Sequence, residues 1–129
     1  MSITTSSRIL FIDDNRAVLE SYFHFLEAEG YSVEVSTFSA ITVQEIEQWN
    51  PALILIDLLI DQQLEQQAWR LMQQVEASHA AISTVFLICT ASLLLSDYRA
   101  YLHEKQTPIL FKPLKLEDLG RQVQHLLSR

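Results

Sequence analysis

The sequence predicts an α/β domain: a doubly wound, five-stranded parallel sheet with helices on both faces. Two observations carry that prediction. Ile9-Leu10-Phe11-Ile12, Leu53-Ile54-Leu55-Ile56, Val85-Phe86-Leu87-Ile88-Cys89 and Ile109-Leu110-Phe111 are short unbroken apolar runs. Strands covered on both faces read this way, because neither face needs polar residues. Segments of helical period separate the runs, and a repeated strand-helix-strand chain closes through right-handed crossovers. At 129 residues the chain is long enough to bury one such core without disulfides or metals.

The elements follow in order. Asn15 suits the cap of a first helix whose stripe is Val18, Tyr22, Phe25 and Leu26, and Gly30 suits its end. Tyr31-Ser32-Val33-Glu34-Val35 alternates, as a half-exposed edge strand does. Ser39 is the expected cap of a second helix bearing Ile41, Ile46 and Trp49, which stops at Asn50-Pro51. Leu64, Ala68, Leu71, Met72 and Val75 share one face of a third helix. A fourth helix is expected from about Ser92 to Lys105. A last helix buries Leu116, Leu119, Val123, Leu126 and Leu127.

Composition narrows the function. The net charge is -7 and the pI about 4.9, which argues against nucleic acid as a direct partner. No apolar run reaches the ~18 residues of a membrane span. Residues 1–7 read as a disordered polar tail without a secretory signal, and residues 8–129 as one stand-alone domain. A single cysteine, Cys89, lies in a buried-strand pattern. It reads as a small core thiol in a reducing, cytoplasmic setting. His24, His79, His103 and His125 lack metal-ligand spacing.

Chemistry gathers at the strand ends. Asp13-Asp14 follow the first run, Asp57 the next, Thr90 follows Cys89, and Lys112-Pro113 follow the last. In parallel sheets the ligand crevice lies outside the carboxyl ends of the strands, so these groups converge. Three carboxylates are hard ligands for a divalent cation, and magnesium suits few carboxylates plus waters and phosphate. An aspartate beside that cation is a candidate nucleophile for phosphoryl transfer. An ammonium at Lys112 and a hydroxyl at Thr90 would hold the remaining phosphoryl oxygens, with Pro113 setting the turn that aims the lysine.

On these residues the chain resembles the receiver domains of two-component response regulators, which have flavodoxin-like topology, over about residues 8–128. The resemblance implies a phosphorylation switch and not a metabolic enzyme. The phospho-acceptor would be Asp57. Asp14 and Asp57 would bind magnesium directly, Asp13 through water, with the Leu59 carbonyl completing the set. Thr90 matches the switch residue, Ala91 the small neighbour that leaves room for the phosphoryl group, and Lys112 the phosphoryl-binding lysine. A sensor histidine kinase or histidine phosphotransfer protein would dock near Asn15, Arg16, Val18 and Leu114. A downstream protein or a second copy would read the state through the fourth helix, fifth strand and fifth helix. Leu94, Tyr98, Tyr101 and Ile109 are the expected output residues.

The chain also departs from that family. No glycine follows the acceptor before the third helix, and Ile109 stands where an aromatic switch residue is usual. Leu59 and Ser92, at the positions that tune hydrolysis in the family, offer no group to orient water. The alternative function is therefore a receiver-like adaptor that works without phosphorylation. An aspartyl phosphatase is disfavoured, since Asn15 and Leu59 stand two places after Asp13 and Asp57, where that chemistry wants a second aspartate.

Overall fold

Five strands lie in the order β2-β1-β3-β4-β5, every neighbouring pair parallel. They are β1 (Arg8–Ile12), β2 (Ser32–Ser36), β3 (Leu53–Leu58), β4 (Val85–Thr90) and β5 (Ile109–Phe111). The helices are α1 (Arg16–Ala28), α2 (Val43–Trp49), α3 (Gln62–Glu76), α4 (Ser96–Glu104) and α5 (Leu116–Leu127). This computed structural model describes residues 7–13, 16–58, 62–78, 84–90, 96–113 and 115–128, without the side chains of 16–19 and 62–64. The expected doubly wound sheet is the observed one.

Period-2 geometry divides each apolar run between two cores. Ile9, Phe11, Leu53, Leu55, Leu87 and Cys89 face α1 and α5, packing on Tyr22, Leu26, Leu119, Val123 and Leu126. Leu10, Ile12, Ile54, Ile56, Leu58, Phe86 and Ile88 face α2, α3 and α4, against Ile46, Ala68, Met72, Val75, Tyr98 and Leu102. All six residues of β3 are buried, as its central position requires. The edge strands are less covered, and Val35 on β2 and Phe111 on β5 are exposed.

Local signals set most boundaries. Gly30 has φ +99°. The Tyr31 N–H reaches back to Leu26 O (3.2 Å) and the Gly30 N–H to Glu27 O (3.0 Å), a Schellman closure of α1. The cap of α2 is Thr42 and not Ser39. The Ala40 and Ile41 amides first close a turn on Thr37 O, and the Glu45 amide then donates to Thr42 Oγ1 (3.2 Å). Thr42 Oγ1 donates in turn to Glu45 Oε1 (3.0 Å). Order at the amino end begins earlier than expected, since the Ser7 carbonyl accepts from the Ser32 amide (3.0 Å). The fourth helix is described only from Ser96, and Lys105 falls in the turn after it.

Candidate functional site at the carboxyl ends of the strands

Register brings the polar strand ends together. Asp57 pairs with Cys89, Leu58 with Thr90, and Thr90 with Phe111. The Lys112 amide donates to Thr90 O (2.8 Å), which draws the lysine to the end of β4. Asp13, one step past β1, is held by its amide on Ser36 O (3.1 Å). Lys112 Nζ ion-pairs with Asp57 Oδ1. The Lys112–Pro113 bond is cis. Asp13 and Thr90 are 0% exposed and Asp57 1%, while the Lys112 side chain is 18% exposed. Of these four side chains, that of Lys112 reaches solvent.

Its electrostatics oppose one another. Burial pushes the Asp57 carboxyl above the ordinary 3.8, while hydrogen bonding and charge from Lys112, and contact with Asp13, pull it back. The same burial, with the charges of Asp57 and Asp13, raises the Tyr22 phenol from 10.0 to about 12. Tyr22 therefore lies close enough to the site to feel both carboxylates. Helical spacing marked it only as core, and no sequence signal separates those roles. Cys89 is pushed up first by its own burial and then by Asp57, so its thiol stays protonated and inert.

The donor set fits a hard divalent cation. Asp57 Oδ2 is buried and meets no hydrogen-bond donor, and the Asp13 carboxyl lies against Asp57. Lys112 sets one positive charge beside two buried carboxylates, an imbalance that oxygen-loving Mg2+ would correct. Among the described residues no three His, Cys, Asp or Glu side chains form a metal-holding group. Asp14, the third expected carboxylate, lies outside them. So do the Leu59 carbonyl, Ala91, Asn15, Leu94 and Leu114. Arg16 and Val18 lie on α1, but their side chains are likewise outside the description.

The expected output residues need correction. Tyr98 is fully buried; its ring stacks on Trp69 at 5.4 Å, and its hydroxyl donates to Met72 Sδ (3.3 Å). It is core because Trp69 and Met72 of α3 present a slot that an aromatic ring fills. Ile109 is half-buried against the same core. Tyr101, also half-buried, donates its hydroxyl to Glu76 Oε1 (2.6 Å). Among the described residues Phe111 of β5 is a large exposed apolar side chain, although its strand pattern suggested burial.

Comparison with known proteins agrees with this geometry. No family model matches the chain. Response regulator MprA of Mycobacterium bovis is 30% identical over 128 residues, covering 96% of this chain and 52% of that protein. Its namesake from Mycobacterium leprae is 29% identical over 126 residues, covering 95% and 51%. The chain thus spans about half the length of the curated relatives it matches.

Among solved structures, the receiver domain of a putative Luxo repressor protein from Vibrio parahaemolyticus superposes with TM-score 0.75 at 24% identity, covering 97% of this chain and 92% of that one. The receiver domain of a sensor histidine kinase from Pseudomonas aeruginosa, which holds a magnesium ion in its active-site cleft, gives 0.76 at 22% identity, covering 97% and 100%. The chain is thus similar to response regulators over about half of their length, and it has the fold of receiver domains. No helix among the described residues is long and apolar enough to cross a membrane.

Proposed function

We propose that this domain, residues 8–129, is a cytoplasmic phosphorylation switch. Asp57 takes a phosphoryl group from a phosphohistidine of a sensor histidine kinase or phosphotransfer protein. The observation that carries this reading is the buried Asp57, ion-paired with Lys112 and touching Asp13, at the carboxyl end of a parallel sheet. A domain needing only to pack has no use for two adjacent buried carboxylates, which cost stability unless their charge is matched.

The chain's own groups divide the work. A carboxylate must be ionised to attack phosphorus, and Lys112 offsets the burial that would keep Asp57 protonated. An Asp57 oxygen bonds to phosphorus as the bond to the donor imidazole breaks, and the imidazole leaves with that electron pair. Lys112 and the Thr90 hydroxyl then hold phosphoryl oxygens, Ala91 leaves them room, and Pro113 aims the lysine. Asp13, Asp14, Asp57 and the Leu59 carbonyl would hold Mg2+, which when bound neutralises phosphoryl charge. Engagement by Thr90 and Lys112 shifts a two-state equilibrium of the neighbouring segments. A protein target or second copy reads it through α4, β5 and α5.

Incubation with acetyl phosphate and Mg2+, followed by intact-mass measurement, tests the switch. One phosphoryl adduct, lost in Asp57→Asn and without Mg2+, is the expected result. No adduct from acetyl phosphate or from a histidine kinase would instead leave the phosphorylation-independent adaptor, a reading that Ile109 in place of the usual aromatic favours.

A further inference from the structure

The helices directly downstream of the two strands that end in Asp57 and Thr90 meet in an aromatic cluster. β3 carries Asp57 and leads to α3; β4 ends in Thr90 and leads to α4. Trp69 of α3 stacks on Tyr98 of α4 at 5.4 Å with 20° between planes. Tyr101 lies 5.7 Å from Trp69 and 6.5 Å from Tyr98. The two strand ends and the rings are therefore joined through the same pair of elements, β3–α3 and β4–α4.

The cluster is tightly packed but weakly held by polar bonds. Trp69 Nε1 is buried and has no hydrogen-bond partner. The Tyr98 hydroxyl, fully buried, donates to a thioether, a poor acceptor. A buried donor left unsatisfied costs stability, so the interior of this arrangement has no strong polar lock. The charge of Glu65, itself buried in the first turn of α3, acts on Tyr98. At the rim, Tyr101 and Lys105 both clip α4 to Glu76, and Lys105 lies over the Tyr101 ring. A stack of flat rings with few polar contacts inside and exposed clips outside carries little polar restraint against a second packing.

We propose that the Trp69-Tyr98-Tyr101 cluster is the two-state element of this domain, repacking between α3 and α4 when Asp57 gains or loses its phosphoryl group. The inference rests on the proposed phospho-acceptor role and names how that site is read. Ile109, the residue where the family resemblance would seek an aromatic, packs on the same core layer, so the rings that respond are those of α3 and α4.

The chain has two tryptophans, and Trp49 lies at the end of α2 beside Arg8. Trp49→Phe therefore leaves Trp69 as the reporter. Beryllofluoride with Mg2+, the probe for an occupied Asp57, should shift Trp69 emission in Trp49→Phe and not in Trp49→Phe/Asp57→Asn. Because coupling between sites is reciprocal, Trp69→Leu and Trp69→Phe, which remove the indole stacked on Tyr98, should change the beryllofluoride affinity, Trp69→Leu at least ~5-fold, the low end of such coupling. Circular dichroism checks the fold of both. An adduct at Asp57 with silent Trp69 emission and affinities unchanged within ~2-fold overturns this inference alone. Failure of Asp57 to take either the phosphoryl group or beryllofluoride overturns the phospho-acceptor reading, and this inference with it.

Discussion

Asp57 and Tyr98 are both polar side chains buried to 1% and 0% exposure, yet their surroundings treat them in opposite ways. Asp57 stands at a strand end with a cation brought to it, across the sheet, from the end of β5. Tyr98 lies inside a helical layer, where the acceptor offered to its hydroxyl is a methionine sulfur. At strand ends the backbone stops pairing and side chains of several strands converge, so charge can be matched to charge. Between helices, contact is set by ring shape, and polar satisfaction comes second. The first arrangement builds a site where one charge is set against another, and the second a joint with little polar restraint.

Removing Lys112 should break that contrast most strongly. Lys112→Met leaves Asp57 buried beside Asp13 without its cation, and losing one partner of such a pair costs about 3 kcal/mol. Urea unfolding near neutral pH measures it, and Asp57→Asn on top should recover most of the loss. A Lys112→Met protein as stable as wild type would show that the pair carries no structural charge balance.

A second contrast is expected under alkali. Burial is the first cause raising Tyr22, Tyr31, Tyr98 and Tyr101 above the ordinary 10.0. Their phenols stay neutral in the folded state where the unfolded chain begins to ionise. The stabilisation is complete below pH 10.0 and lost as pH rises through the folded values, about 12 for Tyr22. The loss is at most ~1.4 kcal/mol per pH unit for each phenol. Phenolate absorbance should therefore lag behind that of free tyrosine and rise together with unfolding; ionisation near pH 10 in a folded chain would refute the burial.

The smallest expected change sharpens the comparison from the other side. Tyr98→Phe removes a hydroxyl whose acceptor is a thioether and keeps the stacked ring, so it should cost under ~1 kcal/mol. A loss of several kcal/mol in thermal or urea unfolding would mean that the hydroxyl is firmly satisfied and that the α3–α4 joint is locked by it.

Much of this was legible in the residues themselves. The unbroken runs at β3 and β4 announced covered strands, and the polar residues after them announced the site's end of the sheet. Gly30 and Asn50 marked helix ends, and both adopt positive φ. Thr42 was missed as a cap because Ser39 offers the same hydroxyl three residues earlier, and only the turn closed on Thr37 chooses between them. The fourth helix offers Tyr98 and Tyr101 both to an output face and to the core, because it holds more apolar residues than one stripe needs. Which of them face inward depends on the slot presented by Trp69 and Met72, on a helix remote in sequence.

Alternation, run length and capping residues, which act over a few neighbours, were enough to determine the parallel α/β architecture and to place Asp13, Asp57, Thr90 and Lys112 at or just past the strands' carboxyl ends. The pairing of Lys112 with Asp57, the closeness of Asp13 and Tyr22 to that pair, and the burial of Tyr98 were decided by tertiary structure. Each depends on distances between segments far apart in the chain, and those distances exist only once the sheet has set its strand order and register.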